Sequence, residues 1–146
     1  MDKEIIKKKI QRILNHFQVG DYAYTIRESN TLLKKLPDNI FLINLIGSCY
    51  LNLGNFKMAS DAFVHIINLD NKNIAAYNNL GNVFKAQKKF EDAEKNYNKA
   101  LEINPSFINS MVNLGNLYFE RNNYQKAIEN YLKALKIDDK NSLTHY

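Results

Sequence analysis

The sequence predicts an all-α fold of antiparallel helix pairs repeated along the chain, and three observations carry that prediction. Gly47, Gly81 and Gly115 stand 34 residues apart, and Ala59, Ala93 and Ala127 recur at the same interval. Aromatic residues keep step in three registers: Tyr50, Phe84 and Tyr118; Phe56, Phe90 and Tyr124; Phe63, Tyr97 and Tyr131. Inside the period the apolar spacing is helical, with Tyr77, Leu80, Gly81 and Phe84 at i, i+3, i+4 and i+7, and Phe90, Ala93, Tyr97 and Ala100 in the same pattern. A fixed period of this length is one supersecondary unit that buries its apolar face only against its neighbours.

Counting Ile40, Ile74 and Ile108 as position 1 gives clear units at 40–73, 74–107 and 108–141. Glycine then falls at position 8, aromatics at 11, 17 and 24, and alanine at 20. Running the frame back to Ile6 gives a divergent unit, 6–39, which keeps an amphipathic stripe of Ile6, Ile10, Ile13 and Phe17 but has Ile13 at position 8 and Thr25 at position 20. The two helices of each unit are separated at "NLGN" (52–55), "AQKK" (86–89) and "ERNN" (120–123), and successive units at "LDNKN" (69–73) and "INPS" (103–106). Pro105 cannot lie inside a helix, and Ser106 and Asp38 are expected to cap the helices that follow. Residues 1–146 are thus expected to form a single array. The closing "SLTHY" (142–146) reads as the start of a truncated helix, as if the chain were cut from a longer protein.

The glycines follow from packing. A glycine in mid-helix costs roughly 1 kcal/mol relative to alanine, so its recurrence marks a place where a side chain does not fit; the expected neighbour of Gly81 is Ala93, twelve residues on. All five glycines occupy positions 8 and 15, which leaves none for a phosphate loop.

Composition narrows the function classes. The single cysteine, Cys49, excludes an internal disulfide framework and suits a reducing compartment, so a cytoplasmic location is expected. The first residues, "MDKEIIKKKIQRIL", resemble neither a signal peptide nor a membrane span. Net charge is +5, with lysine far outnumbering arginine, and the aromatics belong to the repeat, which speaks against a base-stacking nucleic-acid surface. His16, His65 and His145 lack partners at metal-ligand spacing, so no metal or other cofactor is expected. No base stands near Cys49 in sequence, and pairs such as Glu91 and Asp92 read as solvated surface; the chain is expected not to be an enzyme.

The 34-residue helix-turn-helix unit, with small residues at 8 and 20, large ones at 4, 7, 11, 17 and 24, and proline at 32, resembles the tetratricopeptide repeat. "AYNNLGNVFKAQKKFEDAEKNYNKALEINP" (76–105) is close to that family's consensus, and the resemblance covers 40–141 strongly and 6–39 weakly. It implies a right-handed superhelical solenoid whose first helices line a concave groove for an extended peptide or a partner's helix, with terminal units capped. The basic N-terminal helix, carrying Lys3, Lys7, Lys8, Lys9 and Arg12, is one such cap.

By the same resemblance the groove positions hold Phe41, Asn44, Ser48 and Leu51, then Asn78, Asn79, Asn82 and Lys85, then Asn113, Asn116, Phe119 and Glu120. Carboxamides both donate and accept, so a row of them suits the main chain of a peptide. Asn79 and Asn113, at position 6, resemble the asparagine ladder of the O-linked N-acetylglucosamine transferase superhelix, and the repeats look like arrays that precede bacterial transferase domains. An asparagine-rich proteome would also scatter asparagine over any exposed helix. Phe41 and Phe119 read either as peptide anchors or as packing residues. Asn109 and Asn113 stand where a carboxylate clamp would need basic side chains, which argues against that mode. A non-catalytic interaction module is the leading expectation, and the alternative is a structural scaffold that self-assembles by stacking on its uncapped last unit.

Overall fold

A computed structural model describes residues 2–143, and every regular element among them is a helix. In order these are α1 (Lys3–Gln18), α2 (Tyr22–Leu33), α3 (Ile40–Asn52), α4 (Phe56–Leu69), α5 (Ile74–Ala86), α6 (Phe90–Ile103), α7 (Ile108–Glu120) and α8 (Tyr124–Leu143). Two helices fall in each predicted 34-residue unit. The chain divides into two compact parts, Met1–Asn71 with α1 to α4, and Lys72–Tyr146 with α5 to α8.

Turn geometry recurs with the period. Position 15 lies in the left-handed region in all four units: φ is 80° at Gly20, 77° at Gly54, and 62° at both Lys88 and Asn122. Only glycine adopts this conformation without cost. The residue after it, position 16, caps the second helix: Asp21 accepts from the Tyr24 N–H, Asn55 from Met58 and Asn123 from Lys126, whereas Lys89 makes no side-chain cap bond.

The caps of the first helices differ from expectation. Asn39 and Asn73, at position 34, are the cap residues, accepting from the Leu42 and Ala76 N–H groups; Asp38 is not. The cap of α7 is Phe107, without a side-chain bond, and the Ser106 N–H is itself bonded by the Asn104 side chain. The cap must lie directly before the first helical residue for its oxygen to reach the third amide.

The neighbour of the position 8 glycines is also corrected. A Cβ on Gly81 would stand 2.6 Å from Cε1 of Tyr97, and one on Gly47 2.8 Å from Cε1 of Phe63, so the crowding partner is the position 24 ring and not the position 20 alanine. Gly115 meets the Tyr131 ring in the same way. In the divergent unit bulk is exchanged: Ile13 is 2% exposed at position 8 and the small Ser29 is fully buried at position 24. Ile13 thus supplies, in its unit, the volume that the ring supplies elsewhere.

In the first part, Ile13, Leu32, Leu42 and Leu45 form a core with Ile10, Leu14, Phe17, Leu33 and Leu36 packed around it. Cys49 is fully buried, and burial pushes its thiol up to about 11, against a smaller opposing effect from a hydrogen bond with Thr25. At the α1–α2 turn, the His16 ring stacks on Tyr24 with centroids 3.6 Å apart and its Nδ1 lies 2.9 Å from Asp21 Oδ2. That bond, with the cap bond to Tyr24, holds the Asp21 carboxyl below its usual range.

In the second part, Ala93, Tyr97, Leu114 and Leu117 form the core that seats α7 on α6, flanked by Phe84, Phe90, Leu101 and Tyr118. A polar clamp closes the same interface: the Tyr118 hydroxyl donates to Glu94 at 2.6 Å, and Arg121 reaches Glu91 at 3.1 Å and Glu94 at 3.5 Å. Burial first, and then Glu94, push the Tyr118 phenol up to about 12.

Position 32 holds Pro37 in the first unit, Asn71 in the second, Pro105 in the third and Asp139 in the last. In the last unit α8 runs unbroken to Leu143, and residues 142 and 143 continue it rather than open a new helix. Residues 144–146, the remainder of the expected truncated helix and the site of His145, lie outside the described residues.

Candidate functional site

The residues expected to line a groove sit on α3, α5 and α7. On α3, in the first part, Phe41 is exposed while Asn44, Ser48 and Leu51 are partly buried. On α5 and α7, Asn79, Asn82, Lys85, Asn113 and Asn116 are all partly buried and Phe119 is exposed, its ring edge-on to Tyr124 with centroids 5.4 Å apart. Asn78 differs from the others at 7% exposed.

The geometry gives most of these carboxamides an internal partner. Tyr97 donates to the Asn82 oxygen at 2.6 Å and Tyr131 to the Asn116 oxygen at 2.5 Å, a pairing of positions 24 and 9 repeated in two successive units. The glycine before each asparagine lets the ring lie against the first helix, so that the hydroxyl reaches the next residue. The pairing was readable in the sequence: the unit with Ser48 at position 9 has Phe63, without a hydroxyl, at position 24. Burial is the main cause raising the Tyr97 phenol above its ordinary range, with the Glu120 charge second.

Asn78 joins two units. Its oxygen accepts from Ser110 Oγ and from Asn113 Nδ2, each at 2.9 Å, filling both lone pairs from α7. Lys85 is committed similarly, 3.2 Å from Glu120, with Lys88 at 3.9 Å from the other oxygen of the same carboxylate. Sequence reasoning missed both inter-helix ties, because position numbering gives the face of a residue but not its neighbour in the next unit.

In Asn82 and Asn116 the oxygen accepts from a tyrosine hydroxyl, which takes one of its two lone pairs and leaves the amide N–H groups outside that bond. Bonds from Tyr97 and Tyr131 also fix the orientation of both side chains. No group of acidic, histidine or cysteine side chains arranged to hold a metal occurs among the described residues, and no described helix is long and apolar enough to cross a membrane.

No curated protein matches the chain. Solved structures that resemble it include a MamA double mutant from RS-1, with a TM-score of 0.75 and 18% identity over 96% of this chain and 79% of that one. A MamA fragment, 41 to the end, from Desulfovibrio magneticus RS-1 gives a TM-score of 0.77 at 19% identity, covering 92% and 76%. A further MamA crystal structure gives 0.57 at 22% identity, covering 88% and 95%. At these identities the likeness is one of fold. Two family models, each described as tetratricopeptide repeat, match residues 42–73 and 73–140. Those models and the helix pairs of the structure agree on the same frame, and the chain belongs to the tetratricopeptide repeat family.

Proposed function

We propose that this chain is a non-catalytic interaction module that binds an extended peptide, or a helix of a partner protein, along the first helices of its repeats. The observation that carries the reading is the pair of oriented carboxamides on α5 and α7, Asn82 and Asn116, each held at its oxygen by a buried or half-buried tyrosine. An oriented amide donor on successive helices suits the carbonyls of an extended main chain, which repeat along the peptide whatever its side chains. Asn79 and Asn113 stand on the same helices and extend the row, as do Lys85 and Phe119. Phe41, Asn44, Ser48 and Leu51 offer a comparable surface on α3.

Packing and capping occupy the glycines, the position 24 rings and the cap asparagines, which supports a binding module over an enzyme. The likeness of the position 6 asparagines to the transferase ladder rests on Asn79 and Asn113; Asn113 also spends one N–H on Asn78.

Selection of ligands from a random peptide library tests the reading. Peptides that share little side-chain sequence, and bind the wild type at least tenfold better than an Asn82→Ala/Asn116→Ala variant of equal helicity, are the expected result. Ligands that bind both proteins equally would remove the carboxamides from the site.

A further inference from the structure

The two ends of the repeat series differ in chemistry. Positions 3 and 10 are where a first helix packs on the preceding unit: Leu42 and Cys49 on α3, and Ser110 and Leu117 on α7, are all wholly buried. On α1 these positions hold Lys8 and Asn15, both exposed, and Gln11 between them donates to Asn15 at 3.0 Å. The α1 face is a polar cap, and stacking it head-to-tail on another copy would bury a lysine and a satisfied polar pair.

The face beyond α7 and α8 is the reverse. An open cleft of about 450 Å³ is lined by Ile108, Val112, Tyr131, Ala134, Leu135 and Asp138. One period earlier the same positions are Ile74, Asn78, Tyr97, Ala100, Leu101 and Asn104, which include the groups that seat α7. The cleft is a helix seat in which Val112 replaces Asn78, making its floor more apolar, while Asp138 replaces Asn104 and puts a carboxylate at its edge. Beside it Tyr124, Ile128, Leu132 and Leu135 form a stripe along α8, each between 52% and 59% exposed. In α6 the corresponding residues are Phe90, Glu94, Asn98 and Leu101, so the stripe has gained apolar residues where α6 is polar.

We infer that this face binds a second copy of itself, with the two α8 helices antiparallel about a two-fold axis near Leu132. A two-fold sets Leu132 on its own counterpart and Ile128 beside the second copy's Leu135. It also makes the charges complementary. Glu129 and Lys136 lie seven residues apart on one flank of the stripe, and neither has an ion-pair partner among the described residues. In an antiparallel pair that flank meets itself reversed, so each Glu129 faces the other copy's Lys136, twice per dimer. The interface is isologous and closes at two chains, whereas head-to-tail stacking would run on without limit. This inference does not depend on the peptide surface of α5 and α7.

Sedimentation equilibrium of the whole chain tests it. The wild type is expected to dimerise and go no further as concentration rises, and Leu132→Asp, at an exposed position, to stay monomeric with unchanged helicity. Glu129→Lys and Lys136→Glu should each weaken self-association about tenfold, while an equimolar mixture of the two restores a dimer, because the reversed charges then match across it. Four results would overturn the proposal: a monomeric wild type, as for a seat meant for another protein's helix; Leu132→Asp dimerising like the wild type; growth past two chains; or a mixture no tighter than either variant alone.

Discussion

Gly81 and Tyr97 set the tolerance of the repeat at the scale of single residues. Alanine is the better helix former by roughly 1 kcal/mol, so on propensity alone Gly81→Ala would stabilise α5. The ring 2.6 Å from the added Cβ reverses that expectation, because it belongs to a fully buried side chain bonded at its hydroxyl. Gly81→Ala is therefore expected to lose about 1–3 kcal/mol in urea unfolding; an unchanged or raised midpoint would refute the packing account. Tyr97→Phe should cost about 1 kcal/mol through the orphaned Asn82 bond, and adding Asn82→Ser, which recreates the Ser48 and Phe63 pair, should recover most of it. Cys49 gives a third readout. Its thiol is raised from 9.0 to about 11 by burial, so its protonated form favours the fold, and that contribution is lost as pH climbs from 9.0 through about 11. At pH 8 a thiol reagent should modify Cys49 only when the first part opens; rapid labelling of the native protein would contradict the burial.

Helix ends decide the energetics of each element. Position 16 carries Asp21, Asn55 and Asn123 with cap bonds, and Lys89 without one, at an exposed site. Lys89→Asn is expected to gain about 0.5–1 kcal/mol by supplying the missing acceptor at the start of α6, read as a higher unfolding midpoint; no gain would mean that the turn at Lys88 prevents the capping geometry. Several asparagines that composition alone assigns to proteome bias prove to be caps, Asn39, Asn55, Asn73 and Asn123 among them. Others, Asn78, Asn82 and Asn116, are polar joints between helices.

Over the whole molecule, the core follows the repeat and stops where the repeat stops. Ala134 is the last buried residue among those described, and α8 continues for nine residues beyond it to Leu143. Amide hydrogen exchange should accordingly be fastest in the last two turns of α8 and slow in α7, and dilution that dissociates a dimer should speed exchange around Leu132 and Leu135. The sequence by itself determined the helix pairs, their 34-residue frame, the positions of the turns and the membership of most core residues, because each of these depends on spacing within one unit and the spacing is written four times. Tertiary structure alone decided that the glycine's neighbour is the position 24 ring, that Asn78 accepts twice from the next unit, and that Lys85 is spent on Glu120. These are distances between side chains on different helices, fixed by how the helices are rotated and offset against one another, and a period along the chain carries no measure of either.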